Sequence, residues 1–231
     1  MPLVAAMLPI PLPPAARLSS TLFHFFEITA IVLGALGGGL ASRRDRRTRF
    51  DTTGIIGLGL ISGVGGGIVR DLLLNEGAPL SLQHPSYLAY AMLGAALSLV
   101  FGRSIGTRTL ALMSFVDALS LGFFTVAGST RAMNAGLGFL PCLLLGVTTA
   151  VGGGSLRDIF SGEAPKVFQE GELYALVSAT AALLFLLLQK FGAGVNVAAT
   201  IATLAGFGLR MLAIRYGWRT HRVEHLSDPN R

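Results

Sequence analysis

Two Arg-Asp pairs, Arg70-Asp71 and Arg157-Asp158, close two copies of one segment. The first copy, Gly59 to Asp71, reads GLISGVGGGIVRD, and the second, Gly146 to Asp158, reads GVTTAVGGGSLRD. Seven of the thirteen positions are identical at a constant offset of 87. Each pair follows a glycine triplet, Gly65–Gly66–Gly67 or Gly152–Gly153–Gly154, inside a long apolar run. Two more acids, Glu27 and Asp117, stand in the apolar runs that precede the two copies. Charges spaced in this way suit the selection and passage of a charged solute better than bond-making chemistry. No nucleophile–base set accompanies them. No CxxC, HExxH or histidine cluster indicates a metal, so neither an enzyme nor a resident cofactor is expected. The lone Cys142 excludes an intramolecular disulfide.

The elements that must position these residues are apolar helices. The chain is 52% hydrophobic and 13% charged, against roughly a quarter charged in an average soluble domain. Apolar runs fall at about Phe23–Ala41, Thr53–Leu73, Tyr87–Phe101, Leu110–Gly128, Gly136–Phe160, Leu173–Leu188 and Val195–Ile214. Most approach the ~20 residues a helix needs to cross a bilayer. The expected fold is therefore an all-α membrane protein with seven transmembrane helices. Its +6 charge is a topology signal flanking apolar runs, not a nucleic-acid surface. The repeat period spans three helices. Three is odd, so the second set enters the membrane inverted relative to the first. The expected organisation is an irregular proline-bearing lead-in over 1–20, a first three-helix repeat over 21–104 and its inverted partner over 105–191. A seventh helix over 192–217 and a polar tail over 218–231 complete it.

Orientation follows from the basic residues. The first connection holds Arg43, Arg44, Arg46, Arg47 and Arg49. With it in the cytoplasm, 14 of the 18 Lys and Arg lie inside, which predicts an outer N-terminus and a cytoplasmic C-terminus. Asp51 is expected to cap the second span.

The repeated motif has two physical readings. Gly59, Gly63 and Gly67, answered by Gly146, Ala150 and Gly154, form a small-xxx-small stripe that lets helices approach backbone to backbone. Three adjacent glycines face three directions, however, and each costs about 1 kcal/mol of helix stability relative to alanine. A triplet therefore predicts a kink or break in each helix, exposing backbone toward a water-filled space. A phosphate-cradling loop is disfavoured because no strand precedes either triplet. The Arg-Asp pairs would sit at the interfaces as snorkelling side chains, or at the two mouths of a path. Asp117 lies close to mid-membrane, where an ionised acid facing lipid costs at least about 2.5–3.5 kcal/mol. It is expected to face protein or water. Glu27 is shallower and is expected to reach the interface. Ser62, Ser114, Ser120, Thr125, Thr148, Thr149 and Ser155 could supply a hydroxyl wall, with bonding to their own helix backbone as the competing role.

The chain resembles the prokaryotic branch of the trimeric intracellular cation channel (TRIC) family. The resemblance runs from about Phe23 to Trp218. It rests on the two GGGxxRD segments, the EGAP and GEAP stretches at Glu76–Pro79 and Gly162–Pro165, the basic first loop and the closing LRMLAIRYGWR at Leu209–Arg219. It implies a homotrimer in which each protomer has its own path, bounded by the second and fifth spans. It implies passage of K+ or other monovalent cations through a membrane protein surrounded by lipid, in a prokaryotic plasma membrane. Members of this branch also carry a glycine channel or transporter label, so a small zwitterion is the competing solute. The chain departs from the animal pattern at Ser114–Phe115–Val116–Asp117, where a Lys-Glu-Val motif is lacking. Phosphoinositide binding tied to that motif is not expected.

Overall fold

The computed structural model describes residues 20–44, 49–75, 77–104, 109–169 and 173–219. The lead-in, most of the arginine-rich first connection, Glu76, Arg108 and the tail beyond Arg219 lie outside the described residues. All the long elements are helices: α1 Ser20–Arg44, α2 Thr52–Leu74, α4 Pro85–Ser104, α5 Thr109–Asn134, α6 Phe139–Phe160, α7 Tyr174–Lys190 and α8 Val195–Tyr216. A short α3, Leu80–Gln83, enters α4, and a 3-10 turn, Lys166–Phe168, lies ahead of α7. Among the described residues, six helices are long and apolar enough to cross a membrane, and α7 is a shorter apolar helix. The protein is an integral membrane protein of seven apolar helices, arranged as two inverted three-helix repeats (α1, α2, α4 and α5, α6, α7) with α8 added.

The boundaries have local causes. Asp51 accepts from the Gly54 N–H at 2.7 Å and caps α2 as expected. Asn75, in the left-handed region at φ 53°, donates back to the Asp71 and Leu72 carbonyls and ends it. α5 runs six residues past its predicted end, because Ser129, Thr130, Ala132 and Met133 are buried against neighbouring helices. Gly136, at φ 76°, then turns the chain, so α6 starts at Phe139 rather than Gly136.

Four helices form the centre. α1 packs on α2 and α5, and α2 and α6 cross each other. α4 covers α1 and α2, α7 covers α6 and α5, and α8 packs on α5 and α7.

The crossing explains the glycine triplets differently from the expected break. Both α2 and α6 are continuous helices through their triplets. A methyl group on Gly66 would overlap the Thr149 carbonyl oxygen, and one on Gly153 would overlap the Ser62 carbonyl oxygen. These are the same contact seen from the two repeats. Gly65 and Gly152 also face the partner helix: a Cβ on Gly65 would meet Leu156 at 2.9 Å, and one on Gly152 would meet the Gly66 Cα at 3.2 Å. The first two glycines of each triplet therefore let two backbones touch at the pseudo-two-fold axis, and this contact outweighs their poor helix propensity. The remaining stripe packs on other helices: Gly63 faces α1 at Ile31 and Ala35, and Gly146 faces α5 at Thr125.

Candidate functional site

The third glycine of each triplet has a different environment. A Cβ on Gly67 or Gly154 would meet only the Arg70 or Arg157 guanidinium, at 3.9 and 3.8 Å. Gly67 and Gly154 border two separate cavities, one in each repeat. Each cavity holds an acid from the first helix of its repeat, the Arg-Asp pair and a tyrosine.

In the first repeat these groups are locked together. Arg70 Nη1 lies 2.8 Å from Glu27 Oε1, and Arg70 Nε lies 2.8 Å from Asp71 Oδ1. Tyr87 donates its hydroxyl to Glu27 Oε2 at 2.9 Å. Glu27, Arg70, Asp71 and Tyr87 are all buried, at 3–5% exposure. Glu27 therefore does not reach the interface as expected, because Arg70 and Tyr87 hold it inside the bundle. Arg70 does not snorkel. The space left is about 20 Å³, room for a single water.

The second repeat has the same parts in a looser arrangement. Tyr174 donates to Asp117 Oδ1 at 3.1 Å. Arg157 donates through Nε and Nη2 to Asp158 Oδ1, at 3.0 and 2.6 Å. Asp117 pairs with Arg210 of α8, whose Nη2 lies 3.7 Å from Oδ2, and the Arg210 guanidinium also sits over the Tyr174 ring at 4.8 Å. Asp117 keeps 36% side-chain exposure. The cavity here is about 360 Å³ and also reaches Ser155 and Lys166. Asp117 thus borders a cavity that it shares with Arg157, Asp158 and Arg210.

The equivalence is exact in register. α2 and α6 match at an offset of 87, as do Tyr87 and Tyr174. α1 and α5 match at 90: Gly38 and Gly128 abut Ser62 and Thr149, which are themselves 87 apart. Glu27 and Asp117 are also 90 apart. Each motif aspartate has a further role. Asp71 Oδ2 accepts from the Leu80 N–H at 2.9 Å, and Asp158 Oδ2 accepts from the Lys166 N–H at 3.1 Å. The Gly77–Pro79 and Gly162–Pro165 stretches thus deliver the chain to an aspartate, which ties the following short turn to the end of α2 or α6. Gln83 and Gln169 donate to the Ala78 and Ala164 carbonyls and tighten each connection.

The hydroxyl candidates divide. Ser155 borders the larger cavity. Thr149 is buried and bonds its own backbone at Leu145. Ser62 is buried on the α1 side beside Gly38, and Thr148 borders neither cavity. Tyr87, Tyr174 and Arg210 were not anticipated. The two tyrosines could have been found from the offset of 87 alone.

The glycine transporter family profile matches residues 24–103 and 114–190, one match for each repeat. The chain belongs to this family. A UPF0126 membrane protein of Deinococcus radiodurans is 36% identical over 162 residues, covering 69% of this chain and 73% of the relative. The UPF0126 inner membrane protein YadS of Escherichia coli is 29% identical over 202 residues, covering 84% and 93%. Among solved structures, the TRIC trimeric intracellular cation channel orthologue from Rhodobacter sphaeroides superposes with a TM-score of 0.78 at 29% identity, covering 86% of this chain and all of that one. The kinship with prokaryotic TRIC channels expected from the motifs therefore holds, and the family's two-repeat architecture is the one described above.

Proposed function

We propose that this protein is a passive channel for monovalent cations, chiefly K+, working as a homotrimer with one path in each protomer. One observation carries the reading. Two equivalent charged clusters, sharing α1 and α5 as common walls, border a 360 Å³ cavity in one repeat and a 20 Å³ remnant in the other. A path joining them would run beside the α2–α6 crossing, past Gly67 and Gly154. Val64, Val151 and Phe124 would stand between the two ends. The Arg70–Glu27–Tyr87 cluster would be its closure, and the larger cavity its vestibule. Fixed positive charge repels cations, but Arg157 and Arg210 each lie against an acid, which reduces that barrier. Relatives described as a cation channel orthologue and as a subject of conductance through TRIC cation channels support this reading. On the distribution of basic residues the N-terminus would lie outside and the vestibule would open to the cytoplasm.

A second reading is transport of glycine or another small zwitterion. The family description favours it, and so does the mixed lining of the larger cavity. Arg157, Lys166 and Arg210 face Asp117 and Asp158 there, as a carboxylate and an ammonium on one solute would require. Single-channel reversal potentials in asymmetric KCl, repeated with glycine present, test both. Discrete openings reversing near the K+ potential are expected. Electrically silent membranes with saturable uptake of labelled glycine would replace the first reading with the second.

A further inference from the structure

We propose that His24 and Tyr87 form a proton relay that carries a proton from water to the buried carboxylate of Glu27, and that its arrival releases Arg70. The second half of the proposal rests on the reading of Arg70–Glu27 as the closure of a path.

The hydrogen bonds fix the direction of the relay. His24 is exposed, whereas Tyr87 and Glu27 are buried. The Tyr87 hydroxyl has a single hydrogen, and it is donated to Glu27 Oε2 at 2.9 Å. The 2.8 Å contact between His24 Nδ1 and the Tyr87 oxygen must then be donated by the imidazole. The chain runs donor to acceptor all the way: Nδ1–H to the tyrosine oxygen, and the tyrosine O–H to the carboxylate. A proton from water adds to Nε2 of His24. The Nδ1 proton then passes to the tyrosine oxygen as the tyrosine's own proton passes to Glu27. One proton enters, one carboxylic acid forms, and histidine and tyrosine end neutral.

The product state has a ready-made geometry. Arg70 keeps Asp71 when Glu27 is neutralised. The equivalent Arg157 shows that such a guanidinium can settle on its neighbouring aspartate alone, through two N–H groups. Among the described residues, the other charged or titratable groups facing Glu27 and Tyr87 are Asp71 from α2, Arg131 from α5, whose charge acts on Tyr87, and His84, whose ring lies 5.9 Å from the Tyr87 ring. The second repeat has the tyrosine and the acid but not the histidine. Ser114 occupies the position equivalent to His24, so that half carries no relay.

The proton site is tested by infrared difference spectroscopy on the full-length protein in lipid, which needs no conduction. Acidification should raise the carbonyl band of a protonated carboxylic acid, and Glu27→Gln should abolish it. If Glu27→Gln does not fold, 13C-labelled glutamate in the wild-type chain should shift the band instead. After a pH jump the band should rise roughly tenfold or more slowly in His24→Gln and in Tyr87→Phe, with its final amplitude retained. An unchanged rate in both variants overturns the relay, and absence of a Glu27 band overturns the site. K+ flux from proteoliposomes tests the release: acid on the His24 face should raise flux in wild type and leave it unchanged in Glu27→Gln. Flux that ignores pH while Glu27 titrates overturns the release and leaves the relay standing. No K+ flux at any pH would reject the channel reading itself.

Discussion

Glu27 and Asp117 hold equivalent places in the two repeats, and each accepts a tyrosine hydroxyl, yet they meet different cations. Glu27 takes the motif arginine of its own repeat, and that arginine bridges two acids and fills the space between α1 and α2. Asp117 lies instead against Arg210. Arg157 rests on Asp158 alone, and the corresponding space stays open. The motif is not what differs, because the Arg-Asp pair, the tyrosine and the tethered turn recur. One difference is the cation beside the acid: α8, which has no counterpart in the first repeat, brings Arg210 to Asp117. The repeated sequence thus ends in unlike sites, one end of the molecule shut and the other hollow.

The largest effect should come from deleting the bridging arginine. Arg70→Ala strands two buried carboxylates, and breaking a buried pair in this way costs about 3–5 kcal/mol. Arg157→Ala should cost less than half as much, because the side chain borders a cavity wide enough for several waters. Unfolding midpoints of the two variants in detergent measure this directly, and equal losses would break the comparison. Next in size is the crossing that both halves share. Gly66→Ala and Gly153→Ala each press a methyl into a carbonyl of the partner helix and should each cost about 1–3 kcal/mol. Gly67→Ala and Gly154→Ala make only an ordinary contact with a guanidinium, so they should be neutral or add up to about 1 kcal/mol through helix propensity. A thermal-stability series over the two triplets checks all four, and a large loss at Gly67 or Gly154 would assign those residues to packing as well.

That series also marks where the sequence stopped being legible. The helices, the inversion and the cap at Asp51 follow from apolar run length, repeat period and local hydrogen-bonding chemistry, which act along the chain. The triplets misled because a glycine run looks the same whether it weakens one helix or admits another. Only the position of the Thr149 carbonyl opposite Gly66 separates the two cases. Glu27 was read by its depth along α1, but its burial depends on Arg70, which lies 43 residues away in the chain. Arg210 was invisible as a site residue for the same reason: nothing near Asp117 in the sequence announces a cation delivered by the last helix.

A small stability effect should carry the most information about the two ends. Arg210→Gln removes a partly exposed pair at 3.7 Å and a contact with the Tyr174 ring, together worth about 1 kcal/mol. It also removes the cation that pairs with Asp117 beside Arg157. If α8 alone holds the second repeat open, Arg157 should then bridge Asp158 and Asp117 as Arg70 bridges Asp71 and Glu27, and the cavity should shrink. A thiol at Ser155 reports this. Because the chain has one cysteine, the buried Cys142, Ser155→Cys in a Cys142→Ala background gives a single reactive site on the cavity wall. Its modification by a water-soluble thiol reagent should be fast with Arg210 present and several-fold slower in Arg210→Gln. An unchanged rate would mean that the two repeats differ for a reason built into the helices themselves, and that the added cation follows the opening instead of causing it.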